Sequence, residues 1–355
     1  MFESDCSTTE KKLALLFSGQ DSKQLGLVQE VDIDKSYSCE SNAPKTHMFQ
    51  SYADIEPLQA AEFADKNITV SVLRLDRYLP QLSGNKYFKL KYNLLHVVEA
   101  GFTTVISFGG AYSNHLHALA FACQRLGIQL VAVIRGERAA QLSATLEDIE
   151  AMGGHLKFVS RQEYKQRHNS DYQSDLTAQY ANAYLIPEGG SNTLALQGSR
   201  EIVDHIRYHL DDQFDTVLVA CGTGATAAGI AAGLTERQRV LAISVLKSAF
   251  GLKDDIKRLL VEAQVQPQAD WQVLHDYAGA GYGKCDKPLA EFIRHFKENT
   301  GIETEPVYTG KLFNALFSMA QADYFKPDER LVVIHSGGMQ GLRGMQARID
   351  KLLTC

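Results

Sequence analysis

The sequence lacks the features that mark a secreted or membrane-spanning chain. Its first residues, MFESDCSTTEKKLALLF, contain acids early and a short apolar run, whereas a secretory signal has a basic start and a longer apolar core. Two stretches without Asp, Glu, Lys or Arg, residues 101–124 and 216–235, reach the length of a membrane span. Glycines and polar residues interrupt both, so each indicates a buried strand, a turn and a helix start. We therefore expect a cytoplasmic protein without a membrane segment.

Motifs for disulfides and metals are absent as well. The six cysteines are widely and irregularly spaced without a CxxC pair, and a chain of 355 residues does not need disulfides for stability. No HExxH occurs, and His115 and His117 lie two positions apart, so a helix would point them to different faces. We expect reduced thiols and no metal site.

Charge of one sign is not concentrated in any block. Lys and Arg total 36, Asp and Glu total 42, and the net charge is −6. Without a basic block we expect no nucleic-acid partner. The 45% of hydrophobic and 22% of charged residues are typical of a globular chain and exclude a disordered one. The length predicts two domains or one large domain.

The sequence consists mainly of short apolar runs that alternate with helical patterns. Runs too apolar for a sheet with one exposed face predict parallel strands covered by helices on both sides. Residues 1–50 are polar and weakly patterned, and we interpret them as a surface extension. The predicted strands are ITVSVLRLD, TTVISFGG, QLVAVIRG, HLKFVS, AYLIPEGG, TVLVACGTG, RVLAISVLK and RLVVIHSGG. The predicted helices are residues 87–99, SNHLHALAFACQRLG, SATLEDIEAMGG, ATAAGIAAGL and KPLAEFIRHFKENTG.

Three of the predicted strands end in glycine-rich turns, FGGAYSN, CGTGAT and HSGG. In parallel α/β folds, ligands bind beyond the carboxyl ends of the strands. We therefore expect these turns to converge on a ligand site.

The segment CGTGATAAG, residues 221–229, is typical of a phosphate cradle. Gly222 and Gly224 would let backbone N–H groups approach an anion at a helix N-terminus, and Thr223 and Thr226 could add hydroxyl donors. A dinucleotide site would need an acid at the end of the next strand, VLAISVLKS, and a triphosphate loop would need Gly-Lys-Ser/Thr. Both are missing, which favours a phosphate monoester. A tight turn with close helix packing is the alternative.

The turn GNK places Lys86 where a strand gives way to a helix. In a partly desolvated cleft the pKa of a lysine falls, and its amine becomes a nucleophile. The alternative is an ordinary solvated lysine at a helix start. Lysine is frequent in this segment, where Lys89 and Lys91 follow.

Five segments in order resemble one enzyme group: SGNKYFKLKYNLL, SFGGAYSNHLHALAFACQRLG, IPEGGSN, ACGTGATAAG and EPVYTGKL. They are similar to the fold-type-II pyridoxal-phosphate (PLP) enzymes that include 1-aminocyclopropane-1-carboxylate (ACC) deaminase and D-cysteine desulfhydrase. The resemblance covers about residues 55–345. It implies a fold like the tryptophan synthase β subunit, with two three-layer α/β/α domains and mostly parallel sheets. The large domain would comprise residues 51–89 and 186–355, the small domain residues 90–185, with PLP in the cleft between them.

The resemblance also implies roles for single residues. Lys86 would hold the cofactor as a Schiff base and move the substrate α-proton, and Lys89 would neighbour the phosphate. Asn114 would bind the phenolic oxygen of the cofactor, and Ser113 would lie by the substrate carboxylate. The phosphate loop would be Gly222, Thr223, Gly224, Ala225 and Thr226, and the residues facing the substrate would be Ser113, Asn114, His115, Tyr282 and Tyr308, with both tyrosines and Ser113 catalytic.

Thr309 is the position that separates the two activities. ACC deaminase has a glutamate there, against the pyridine nitrogen, and a carboxylate keeps that nitrogen protonated and makes the ring a strong electron sink. A threonine hydroxyl makes the ring a weaker sink. Opening a cyclopropane breaks a carbon–carbon bond and needs the strong sink, whereas expulsion of a thiol from the β-carbon needs less. Thr309, like His115, resembles the D-cysteine desulfhydrase branch.

The expected reaction is α,β-elimination and deamination of a small amino acid, most like D-cysteine giving pyruvate, sulfide and ammonia. ACC deaminase, an amino-acid racemase and a non-catalytic binder of PLP or another phosphorylated metabolite are the alternatives. The resemblance further implies a homodimer.

Overall fold

The computed structural model describes residues 52–79, 82, 84–247 and 251–354. From Ala53 onward the chain forms one compact unit. The surface extension expected over residues 1–50 lies outside the described residues.

Ten strands in the described residues form two sheets. Those of the larger sheet are β1 (Ile55–Pro57), β2 (Thr69–Arg74), β7 (Thr216–Cys221), β8 (Arg239–Ser244), β9 (Asp270–Leu274) and β10 (Arg330–His335). Those of the smaller sheet are β3 (Thr104–Gly109), β4 (Gln129–Arg135), β5 (His155–Val159) and β6 (Ala183–Ile186).

The larger sheet has the order β1-β2-β10-β7-β8-β9. Only β1 runs antiparallel to its neighbour, and the other pairs are parallel. The smaller sheet has the order β5-β4-β3-β6 and is parallel throughout. The predicted α/β class with mostly parallel sheets is therefore confirmed.

Helices connect the parallel strands. In chain order they are α1 (Ala61–Ala64), α2 (Asn85–Glu99), α3 (Asn114–Leu126), α4 (Ala144–Ala151), α5 (Arg161–Tyr164), α6 (Ser170–Ala178), α7 (Thr193–Arg200), α8 (Ile202–Leu210), α9 (Ala225–Gly233), α10 (Leu252–Glu262), α11 (Lys287–Thr300), α12 (Thr309–Gln321) and α13 (Gln346–Thr354). Among these described helices, none combines the length and the hydropathy that a membrane span requires.

The central strands are covered on both faces. Every residue of β3 and of β7 is buried. Because alternate side chains of a strand point to opposite faces, both faces of each sheet must carry other elements. Helices α9 and α12 both contact β7 and β8 of the larger sheet, and α3 contacts β3 and β4 of the smaller one. This is why these strands appear in the sequence as continuous apolar runs.

A side-chain cap fixes the start of α3. The Ser113 hydroxyl accepts a hydrogen bond from the Leu116 amide at 3.2 Å, which satisfies one of the free N–H groups of the first turn. Gly127 ends the helix in the left-handed conformation, with φ of 66°. The same logic fixes the start of α4, where Ser143 caps the Leu146 amide. The Ser113 cap sets the chain direction after the glycine-rich turn that follows β3.

Two edge strands do not appear in the sequence pattern. Strand β1 has three residues, too few for an alternation to show. Strand β9 mixes exposed and half-buried residues, because it lies at the open edge of the sheet. The domain boundaries near residues 90 and 185 stay a prediction.

Candidate active site

The turn that carries Lys86 packs directly on the turn that follows β10. A Cβ built at Gly84 would lie 2.4 Å from the carbonyl oxygen of Ser336, and Gly84 has φ of 61°, so glycine is required there for both reasons. The Asn85 amide donates to the same carbonyl at 3.1 Å. A Cβ at Gly338 would lie 2.5 Å from Nδ2 of Asn114. The glycine-rich turns after β3 and β10, which the sequence predicts to converge, therefore meet, and the GNK turn packs against the second of them.

Lys86 lies in the first turn of α2 and is only partly exposed. Its Nζ donates to Oδ1 of Asn85 at 2.7 Å. Burial lowers the pKa of Lys86 to about 8, while the negative charge of Glu305 acts in the opposite direction. A lysine with a pKa near neutrality has an appreciable neutral fraction, and the neutral amine is the nucleophilic form.

Lys89 lies one turn further along α2 and is almost fully buried. Its Nζ donates to Oγ1 of Thr223 at 3.1 Å, which brings it to the glycine-rich turn after β7. Burial, followed by the charge of Lys86, lowers the pKa of Lys89 to about 7. No carboxylate of the described part of the chain acts on this amine, and a buried ammonium favours an anion nearby.

The turn after β7 forms an open cradle at the N-terminus of α9. Gly224 precedes the helix with φ of 88°, and within the part of the chain that the structure describes no side chain caps the first amides. Thr226 accepts a hydrogen bond from Nδ2 of Asn85 at 3.1 Å. Ser191, in the segment after β6, donates to the Thr223 carbonyl at 2.8 Å. Uncapped amides, a helix N-terminus and a buried lysine together suit a phosphate group.

Asn114 and His115 begin α3 and point polar atoms into the interior. The Oδ1 of Asn114 and the Nδ1 of His115 are buried and have no hydrogen-bond partner among the described residues. The other ring nitrogen of His115 lies 2.8 Å from the Ser107 hydroxyl. Burial, with the charges of Lys89 and Lys86, lowers the pKa of His115 well below its usual value, so the ring is neutral. Since buried polar atoms nearly always have partners, these two indicate a ligand.

The two predicted tyrosines form a pair. Their hydroxyls lie 3.1 Å apart, and their rings meet edge-on at 77° with centroids 5.9 Å apart. Tyr308 also approaches the phosphate cradle, because a Cβ at Gly222 would lie 3.3 Å from its ring. Burial raises the pKa of Tyr308 well above its ordinary value, so this hydroxyl keeps its proton. Tyr282 is 47% exposed and forms the outer member of the pair.

Thr309 is fully buried and bound to Glu305. Its Oγ1 accepts the Glu305 amide at 3.0 Å and lies 3.3 Å from Oε1 of Glu305, to which it can donate. The Glu305 carboxylate also accepts the amides of Val307, Tyr308 and Thr309 at 2.6–2.8 Å. Burial raises the pKa of Glu305, and these amides oppose that change. Thr309 therefore lies beside a carboxylate of its own chain.

Side-chain contacts join several of the predicted residues directly. They link Lys86 through Asn85 to Thr226, and Lys89 to Thr223. Tyr282 contacts Tyr308, whereas the Ser113 hydroxyl is bound to an amide of its own helix. Within the described part of the chain, no group of three His, Cys, Asp or Glu side chains is placed to hold a metal ion.

Sequence reasoning missed Asn85, Ser107 and Glu305. Asn85 stands inside the GNK motif, which was a signal in the sequence. Glu305 had none, because it lies three residues before the cap position of the helix whose first amide it binds. Ser107 had none, because it lies inside an apolar strand and its partner His115 follows eight residues later.

The arrangement fits pyridoxal phosphate. A phosphate suits the cradle beside Lys89, and an aldehyde on the ring suits the amine of Lys86. Polar ring substituents suit the unpaired Oδ1 of Asn114. These three features lie on turns that contact one another.

The chain is similar to known proteins. Residues 55–337 match the profile of the family described as pyridoxal-phosphate dependent enzyme. The chain is 30% identical over 282 residues to the bifunctional D-cysteine desulfhydrase/1-aminocyclopropane-1-carboxylate deaminase of Arabidopsis thaliana, which covers 74% of this chain and 70% of that protein. It is 28% identical over 286 residues to the 1-aminocyclopropane-1-carboxylate deaminase of Cyberlindnera saturnus, which covers 73% of this chain and 82% of that one.

A solved structure has a fold similar to that of this chain. The crystal structure of an ACC deaminase homologue superposes with a TM-score of 0.75 at 26% identity, and the alignment covers 85% of this chain and 94% of that chain. The predicted fold-type-II architecture and the predicted cofactor are thereby confirmed. The chain belongs to the family of pyridoxal-phosphate-dependent enzymes.

Proposed function

We propose that the protein eliminates the thiol of D-cysteine and deaminates the product, converting D-cysteine and water to pyruvate, hydrogen sulfide and ammonia. The observation that carries the proposal is Thr309. It is a neutral side chain that directly follows Tyr308, at the position where the resemblance gives ACC deaminase a glutamate. Its hydroxyl is already bonded to Glu305. A neutral neighbour suits a reaction in which the leaving thiol takes up electrons.

Lys86 is the proposed base for the α-proton of the substrate. Pyridoxal phosphate, when bound, supplies a conjugated ring that accepts the electrons released as that proton leaves. Burial keeps the pKa of Lys86 at about 8, so its amine can take a proton and return it near neutral pH. Oδ1 of Asn85 fixes the direction of Nζ at 2.7 Å.

Lys89 and the phosphate cradle are proposed to anchor the cofactor. Lys89, Thr223 and Thr226 offer an ammonium and two hydroxyls beside the uncapped amides of α9. Oδ1 of Asn114 can accept a hydrogen bond from a phenolic hydroxyl, and Ser113, at the start of the same helix, is proposed to orient the substrate carboxylate. These contacts would keep the ring from turning while protons move.

The tyrosine pair is the proposed proton donor for the departing thiolate. Tyr308 stays protonated because burial raises its pKa, and its hydroxyl lies 3.1 Å from that of Tyr282. A protonated hydroxyl can donate to sulfur as the carbon–sulfur bond breaks. The neutral His115 is proposed to face the substrate with its unpaired Nδ1.

ACC deamination to 2-oxobutanoate and ammonia is the second candidate. One observation favours it. The Glu305 carboxylate lies directly behind Thr309, so negative charge is available one hydrogen bond away from that hydroxyl. The Arabidopsis thaliana relative, moreover, is named for both activities.

The test is a comparison of substrates on the purified holoprotein. D-cysteine, L-cysteine and ACC are supplied separately, and the keto acid is identified in each case. The proposal expects pyruvate and sulfide from D-cysteine. Formation of 2-oxobutanoate from ACC without pyruvate from D-cysteine would reverse the two candidates, and cofactor absorbance without turnover of any small amino acid would indicate a binding protein.

The assembly and the domain division are part of the proposal too. We propose a homodimer, and a small domain spanning residues 90–185 beside a large domain of residues 51–89 and 186–355. Light scattering coupled to size-exclusion chromatography measures the oligomeric state, and a monomer would contradict the proposed homodimer. The cytoplasmic location stays a prediction from the sequence.

A further inference from the structure

The loop that carries Tyr282 has little in its own sequence to fix its shape. This tyrosine loop, residues 278–285, has glycine at positions 279, 281 and 283, and all three adopt positive φ, of 59°, 109° and 63°. Glycine loses more backbone freedom on ordering than any other residue. Contacts from outside must therefore hold the loop in place.

A buried lysine supplies such a contact. Lys311 lies in the first turn of α12 and is 1% exposed. Its Nζ donates to the carbonyl of Gly281 at 2.6 Å and lies 3.4 Å from the carbonyl of Val245. The Gly281 carbonyl otherwise accepts the Lys284 amide at 3.2 Å, within the loop itself.

The ammonium has no packing reason to be there. An apolar side chain of similar length would fill the same space without the desolvation of a charge, which proteins normally avoid. Burial lowers the pKa of Lys311, and the carboxylates of Glu305 and Asp286 act against that change. A buried ammonium that binds backbone carbonyls instead suits the task of tying separate segments together.

The segments that Lys311 ties together are those that meet at the tyrosine pair. Tyr308 immediately precedes α12, three residues before Lys311, and its hydroxyl lies 3.1 Å from that of Tyr282. Gly281 immediately precedes Tyr282 in the chain. Val245 follows β8 and approaches Gly222 of the phosphate cradle, where a Cβ would lie 3.9 Å from its side chain.

We propose that Lys311 is a positioning residue, which holds Tyr282 against Tyr308 by binding the carbonyl of Gly281. The start of α12 then positions both tyrosines. Tyr308 immediately precedes this helix and contacts Tyr282 through its hydroxyl, and Lys311 in the first turn binds the backbone next to Tyr282. The consequence for turnover rests on the proposed function of the tyrosine pair. The consequence for the loop does not.

The test on the loop uses hydrogen exchange in the holoprotein. Lys311→Met removes the donor and keeps the length, Lys311→Gln keeps a neutral NH2 donor, and Lys91→Met removes a lysine that binds Glu201 elsewhere. Amides of residues 281–284 should exchange about tenfold faster in Lys311→Met, less so in Lys311→Gln, and unchanged in Lys91→Met. Equal protection of these amides in all three proteins would overturn the proposal.

The test on turnover is a double-mutant cycle with Tyr282→Phe. If Lys311 acts through Tyr282, Lys311→Met lowers kcat with little change in KM and lowers it no further in the Tyr282→Phe background. If the two substitutions instead lower kcat by factors that multiply in the double variant, Lys311 has a general structural role and the inference is overturned. If Lys311→Met does not fold, Lys311→Gln takes its place, and failure of both variants also counts against it. Absence of turnover in the unmodified protein would refute the proposed function and leave the exchange result standing.

Discussion

The side-chain oxygen of Asn85 accepts a hydrogen bond from the amine of Lys86 at 2.7 Å. The amide nitrogen of the same side chain donates to Thr226 at 3.1 Å. One asparagine therefore joins the nucleophilic amine to the phosphate cradle. An acceptor at this distance stabilises the charged form of the amine, so Asn85 opposes the effect of burial on the pKa of Lys86.

Replacement of Asn85 should make Lys86 more reactive. Asn85→Ala removes the acceptor, so the pKa of Lys86 should fall below its present value of about 8 and the neutral fraction at pH 7 should rise roughly fivefold. The neutral fraction is measured by the rate at which an amine-reactive reagent modifies Lys86 in the cofactor-free protein. Mass spectrometry follows this rate at several pH values. Asn85→Asp should have the opposite effect, because a carboxylate favours the ammonium. Equal rates in all three proteins would contradict the assignment.

Lys86 itself should carry the cofactor. Borohydride reduction of the holoprotein should fix pyridoxal phosphate on the peptide that contains Lys86, and Lys86→Ala should abolish both this label and turnover, by more than about a thousandfold. Lys91→Ala, a change on the same helix but at a residue bound to Glu201, should retain both. A label on any other lysine of the unmodified protein would show that the amine has been misassigned.

Lys89 should make cofactor binding depend on pH. Its pKa is lowered to about 7 in the free site, so above that value the ammonium is lost and the attraction for a phosphate weakens. Pyridoxine 5′-phosphate is a suitable probe because it has no aldehyde to react with Lys86. Its affinity should fall about tenfold between pH 6 and pH 8, and Lys89→Met should show weak binding without that dependence. A flat profile in the unmodified protein would exclude Lys89 as the phosphate partner.

The parts of the fold that could be predicted from the sequence are those that local pattern determines. Strand β7 is buried on both faces, and its sequence is therefore a continuous apolar run. The Ser113 hydroxyl caps α3 by binding an amide only three residues further along the chain, that of Leu116. The fold class and the convergence of three turns follow from such patterns together with the parallel arrangement.

The parts that could not be predicted depend on contacts between distant segments. Asn85 and Thr226 are 141 residues apart, and Lys311 and Gly281 are 30 apart, so neither pair leaves a mark on local pattern. Lys311 stands in the segment EPVYTGKL, but the sequence does not show what its side chain binds. Such contacts are set by how the loops pack once the sheets have formed.

His205 should make the protein sensitive to acid. Its Nδ1 accepts the Ala53 amide at 2.9 Å, and its ring packs edge-on against Tyr78 and Phe88 with centroids 5.1 Å away. Burial lowers the pKa of His205 to about 4, from a usual value of 6.5. As pH falls below 6.5, the unfolded chain therefore binds a proton before the folded one does, and stability is lost until about pH 4. The full effect is about 3 kcal/mol in the free energy of unfolding.

The measurement is urea unfolding at several pH values between 7 and 4, compared with His205→Phe. That variant keeps an aromatic ring but cannot take up the proton, so it should be less stable at pH 7, where the Ala53 amide loses its acceptor. The difference between the two proteins should then shrink as pH falls, because only the unmodified chain loses this contribution. His295→Phe, a change at an exposed position, should follow the unmodified protein throughout. A constant difference between His205→Phe and the unmodified protein would mean that His205 binds its proton equally well in both states.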